Sequence, residues 1–157
     1  MKLTDGAAVS VDVGLSACLA DSVQQAAELE ALNLSGNSIV CNGALALSQE
    51  LLQNVPLRSL NLSNNSLADR AGVAVAGLLL PSSACNFSHL QLSGNCSLGS
   101  STAARLAQVL PYTTSLKTLD LSRTQLSAPL FLSAGISIIK TMHVISSATP
   151  HSYRVSL

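Results

Sequence analysis

The sequence predicts an α/β solenoid, a stack of short strand–turn–helix units, and three observations predict it. A nine-residue phrase recurs: LEALNLSGN starts at residue 29, LRSLNLSNN at 57, FSHLQLSGN at 87 and LKTLDLSRT at 116, in steps of 28, 30 and 29 residues. Self-similarity at such a period is the mark of a stacked-repeat architecture. Within each phrase the leucines alternate with polar residues, which suits a strand with one buried face. After each of the first three phrases the apolar spacing lengthens to helical steps.

The strand of each unit is framed as apolar, two variable, apolar, one variable, apolar, two variable, Asn. The frame runs Leu29, Leu32, Leu34, Asn37; then Leu57, Leu60, Leu62, Asn65; then Phe87, Leu90, Leu92, Asn95. The leucines point to one side and the residues between them to the other. Asn falls where the chain must leave the sheet, and its amide both donates and accepts, so it can satisfy main-chain groups stranded there.

The helices are expected over GALALSQELL (43–52), GVAVAGLLL (72–80) and TAARLAQVL (102–110). Their anchors are Ala44, Leu47 and Leu51; Val73, Ala76 and Leu80; and Ala103, Leu106 and Leu110. Pro81 and Pro111 directly follow the last anchors, where a ring that cannot continue a helix stops it. One unit cannot bury its own apolar face, so neighbours stack. Helices are wider than strands, so the stack bends into an arc with a parallel sheet on the concave side and helices on the convex side.

The pattern LxxLxLxxNxL with a G-A-x-x-L-like helix resembles the ribonuclease-inhibitor type of leucine-rich repeat, over residues 29–127 and in part over 3–28. The resemblance implies a right-handed βα superhelix. It does not imply one function, because similar repeats occur in ribonuclease inhibitor, NOD-like receptors, the Ran GTPase-activating protein and the tonsoku-like scaffold. Proteins of this type commonly work in the cytoplasm or nucleus, and the same is implied here.

The domain reading is a repeat region over 1–128, with a partial repeat at 1–28 and repeats at 29–56, 57–86, 87–115 and 116–128. Residues 15–26 read as the helix of an earlier repeat whose strand is missing. Residues 129–157 form a divergent tail without repeat phase. Neither end supplies the polar cap a solenoid needs, so the chain reads as a fragment, a splice form or an array ending in foreign sequence.

The chain has 157 residues, of which 48% are hydrophobic, 3% aromatic and 10% charged, with zero formal net charge. Its core is therefore aliphatic. It carries no electrostatic footprint for nucleic acid or an anionic membrane surface. LFLSAGISII at 130–139 is too short to span a bilayer, and Asp5 and Asp12 interrupt what would be the apolar centre of a signal segment. Cys18, Cys41, Cys85 and Cys96 stand singly and read as free thiols, with Cys18, Cys41 and Cys96 as packing residues.

The candidate site is the concave face, expected to contact another protein. Its residues are Asn33, Asn61, Gln91 and Asp120, with neighbouring His89 and the serines Ser35, Ser63 and Ser93; Glu30, Arg58 and Lys117 supply rim charges. The face lacks the Trp, Tyr and Arg favoured at hot spots, so a merely solvated sheet is the plain alternative. His89 and Asp120 lie in different rows, without a nucleophile or a water-excluding pocket, and no catalytic residue is expected. His89, His143 and His151 lack ligand spacing, so neither metal nor cofactor is expected. Sequons begin at Asn33, Asn61, Asn64, Asn86 and Asn95 and read as by-products of the repeat. The functional expectation is a noncatalytic interaction module or scaffold. The alternatives are a GTPase-activating repeat protein and a truncated fragment of a larger receptor or repair scaffold without independent function.

Overall fold

The structure is a computed structural model that describes residues 30–54, 57–80, 83, 86–126, 143–146 and 153–156. The expected partial repeat at 1–28 lies outside the described residues. So do Leu29, Pro81, Cys18, Cys85 and the segment 127–142.

Each repeated phrase forms a three-residue strand: β1 (Ala31–Asn33), β2 (Ser59–Asn61), β3 (His89–Gln91) and β4 (Thr118–Asp120). Their pairing is parallel and follows the repeat frame, with Leu32 opposite Leu60, Leu60 opposite Leu90 and Leu90 opposite Leu119. The next leucine of each frame extends the ladder: Leu34 N donates to Asn61 O at 2.8 Å, Leu62 N to Gln91 O at 2.9 Å and Leu92 N to Asp120 O at 2.8 Å. Leu34, Leu62, Leu92 and Leu121 are all buried, so equivalent leucines from four units meet in one interior.

Three helices follow the first three strands: α1 (Cys41–Asn54), α2 (Asp69–Gly77) and α3 (Ser100–Val109). Adjacent helices pack together, α1 on α2 and α2 on α3. Their inward residues share one apolar cluster with the strand leucines. A 3-10 turn, Leu110–Tyr112, ends α3 with Pro111 in its first positions, in keeping with a ring that cannot extend an α-helix.

One set of anchors is displaced from expectation. In the first and third units the expected anchors are buried, and so is Ala76 in the second, but Val73 and Leu80 are only half-buried, while Gly72, Val75 and Leu79 are buried. These three lie 28 residues beyond Ala44, Leu47 and Leu51, so the helix keeps the spacing from its turn asparagine. Gly72 holds that place for a steric reason. A Cβ there would collide with the Thr102 side chain and approach Leu98 Cδ2 to 2.8 Å, and the missing side chain lets α2 and α3 pack closely.

Two further strands lie in the divergent tail: β5 (His143–Ser146) and β6 (Tyr153–Ser156). β6 pairs antiparallel with β4, placing Val155 opposite Leu119 and Arg154 opposite Asp120, and β5 pairs antiparallel with β6. The sheet order is β1-β2-β3-β4-β6-β5. Parallel stacking thus ends at β4. No helix among the described residues is long and apolar enough to cross a membrane.

Candidate protein-binding face

The turns that end β1 to β4 set the geometry of the face. The residue before each turn asparagine or threonine has positive φ: Gly36 at 72°, Asn64 at 53°, Gly94 at 73° and Arg123 at 54°. This left-handed step suits Gly best and Asn tolerably, whereas Arg carries a steric cost there. Gly94 is constrained twice over, because the Asn64 side chain occupies the space a Cβ would need.

The next residue makes the expected bonds. Asn95 is wholly buried and its Nδ2 donates to Leu62 O at 2.9 Å and to Leu92 O at 2.8 Å, while its Oδ1 accepts Leu67 N at 3.2 Å. Asn65 likewise donates to Leu34 O and Leu62 O, and accepts from Asn37 N and Ile39 N. Each of these two side chains therefore ties its own coil to the preceding one. Burial of Asn95 also makes its sequon unusable in the fold, whereas Asn64 and Asn86 are exposed.

The outward strand positions form two rows. One carries Ala31, Ser59, His89 and Thr118; the other carries Asn33, Asn61, Gln91 and Asp120. In the first row His89 is exposed and its Nδ1 lies 2.6 Å from Thr118 Oγ1. In the second row all four residues are half-buried. Asn33 Oδ1 accepts Ser35 N at 3.0 Å and Ser35 Oγ at 2.8 Å. Asn61 Oδ1 accepts Ser63 N at 3.0 Å, and Asp120 Oδ1 accepts Ser122 N at 3.0 Å and Ser122 Oγ at 2.7 Å. These are Asx turns, in which a short polar side chain mimics a main-chain turn. Gln91, one methylene longer, makes no such bond.

The serines do not all join the face. Ser35 is half-buried, but Ser63 and Ser93 are buried, and Ser93 Oγ donates to Ser63 Oγ at 3.0 Å. As the chain turns inward after the strand, these hydroxyls bond one another across neighbouring coils and are withdrawn from any partner. Cys96, expected as a packing residue, is exposed in the turn after β3, while Cys41 is half-buried at the start of α1. Glu30 and Arg58 form an exposed ion pair at 3.6 Å. His89 and Asp120 fall in the separate rows expected of them. No group of three or more His, Cys, Asp or Glu side chains among the described residues is placed to hold a metal ion.

The sequence reading missed Asp69. Its Oδ1 accepts Gly99 N at 2.7 Å, Thr102 N at 3.0 Å and Thr102 Oγ1 at 2.7 Å, and its Oδ2 accepts Ser101 N at 3.3 Å. It thereby caps α3 from the first turn of α2. Partial burial pushes its carboxyl upward, but the bonds from Thr102, Gly99 and Ser101 outweigh this and hold it below the usual carboxylate range. The only signal in the sequence was a lone acidic residue two places after Leu67, which by itself points to nothing.

A family model of the leucine-rich repeat matches residues 53–76, from the end of α1 through β2 and its turn into α2. The match supports a leucine-rich repeat protein. Such repeats are commonly protein-interaction modules and generally noncatalytic, which fits a protein partner. No curated protein matches the chain.

Proposed function

We propose that this chain is a noncatalytic interaction module of the ribonuclease-inhibitor repeat type, which binds another protein with the outward face of β1 to β4 and works in the cytoplasm or nucleus. A helix is about 10 Å wide with its side chains, while strands pair about 4.8 Å apart. Stacking the two layers therefore curves the array and makes that face concave. The single observation that carries the reading is the division of each strand. Leu60, Leu90 and Leu119 are buried, while their neighbours His89, Gln91 and Asp120 keep polar groups accessible on one continuous surface. The binding residues are Asn33, Asn61, His89, Gln91 and Asp120, with Ser35 at the margin.

The test is site-specific photocrosslinking in cells. A crosslinking residue at Gln91 is expected to capture one defined protein, and one at exposed Ala104 of α3 is expected not to. His89→Glu combined with Gln91→Lys should abolish capture without changing the melting temperature. Capture from Ala104 alone would refute the reading.

A further inference from the structure

The Asx turns do more than shape the chain, because they decide which end of each face amide is left for a partner. A main-chain N–H can only donate, so the atoms that accept Ser35 N and Ser63 N must be the oxygens of Asn33 and Asn61. Each carboxamide is therefore fixed in orientation, and its Nδ2 protons are what it offers outward. Asn33 and Asn61 are opposite one another in register on adjacent strands, about 4.8 Å apart. At that spacing, hydrogen bonds of about 2.9 Å from the two Nδ2 groups would meet on one carboxylate placed between them. At β4 the same turn is made by Asp120, whose second oxygen only accepts. The row thus runs from donors at β1 and β2, through Gln91 with both kinds of group, to an acceptor at β4. The nearby Glu30–Arg58 pair adds no net charge at the donor end.

We infer that the face takes an extended acidic segment, with an Asp or Glu carboxylate bridging the Nδ2 groups of Asn33 and Asn61. This rests on the protein-binding reading above and adds its polarity. The discriminating substitution is supplied by the molecule itself. Asn→Asp keeps the oxygen that holds the turn, as Asp120 demonstrates, and replaces the outward donor by a negatively charged acceptor.

The experiment titrates the isotope-labelled 157-residue chain with a blocked Gly-Ser-Glu-Ser-Gly peptide and with its Lys counterpart, following the side-chain amide resonances. The Glu peptide is expected to shift and saturate the Asn33 and Asn61 Nδ2 protons, and the Lys peptide is not. The Asn33→Asp, Asn61→Asp double variant should bind the Glu peptide at least tenfold more weakly while still unfolding cooperatively, its melting temperature lowered slightly by the two facing carboxylates. The Asn61→Asp single variant should weaken binding with an unchanged melting temperature. Unmoved Nδ2 resonances, equal response to both peptides or undiminished binding by the variant would each overturn the inference. If the Gln91 crosslink still captures a protein, only the polarity falls; if neither crosslink nor shift is seen, the docking face falls with it.

Discussion

The turn after β3 and the turn after β4 share one backbone path but differ in chemistry. After β3, Gly94 takes the left-handed step and Asn95 bonds the carbonyls of both Leu92 and the preceding coil's Leu62. After β4, Arg123 takes the same step and Thr124 follows. Thr124 Oγ1 donates to Leu121 O at 2.7 Å and accepts Leu126 N at 3.3 Å, both within its own turn. At this position the single hydroxyl is taken up within its own turn, where Asn95 has an amide with atoms to spare for the coil before it. The inter-coil asparagine ladder therefore stops where parallel pairing stops, and the next strand in the sheet, β6, is antiparallel.

The largest expected effect separates these two turns directly. Asn95→Ala strands the buried Leu92 carbonyl and Leu67 N–H, each worth about 1 to 3 kcal/mol when unsatisfied, leaves Leu62 O with Asn65 Nδ2 as its remaining side-chain donor, and should cost about 3 kcal/mol by chemical denaturation. Thr124→Ala should cost only about 1 to 2 kcal/mol. Equal losses would mean that the ladder does not couple coils. Next in size, Asp69→Ala removes the cap of α3 and should cost about 1 kcal/mol at neutral pH. The sign of its pH dependence follows from the lowered carboxyl. The stabilisation is present above the unfolded-state value near about 3.9 and is lost as pH falls through the lower folded-state value. The wild-type and Asp69→Ala denaturation midpoints should therefore converge in acid. Arg123→Gly relieves the left-handed strain and should stabilise by about 1 kcal/mol. Smallest is Asn61→Ala, which loses one half-buried turn bond and should cost about 0.5 to 1 kcal/mol, read as a slight fall in melting temperature.

The same contrast explains what was legible in the sequence. Strands and turn asparagines were readable because Leu-x-Leu recurs in all four phrases and Asn65 and Asn95 make equivalent bonds in successive coils. The left-handed step was not, because Gly36, Asn64, Gly94 and Arg123 share a conformation rather than a residue type. Val73 and Leu80 gave way to their neighbours Gly72 and Leu79, although Ala76 is buried as expected, because the run of apolar residues from Val73 to Leu80 fits more than one helical phase, and contact with Thr102 and Leu98 fixes Gly72 inward. The face row Asn33, Asn61, Gln91 and Asp120 followed from alternation alone. Burial of Ser63 and Ser93 did not, since alternation holds only while the chain stays extended and it bends inward at those serines. Asp69 escaped because it acts on residues 30 to 33 positions ahead, on an element in the next unit.

That forward reach gives the α2–α3 pair a direction. α3 has no side-chain cap of its own at Gly99 and has its exposed amides received by a carboxylate from the coil before it. An isolated first helical turn is a costly nucleus, and a carboxylate already placed by the start of α2 lowers that cost for α3. Within this pair of helices the dependence runs from the amino side to the carboxyl side, the order in which a ribosome releases the chain.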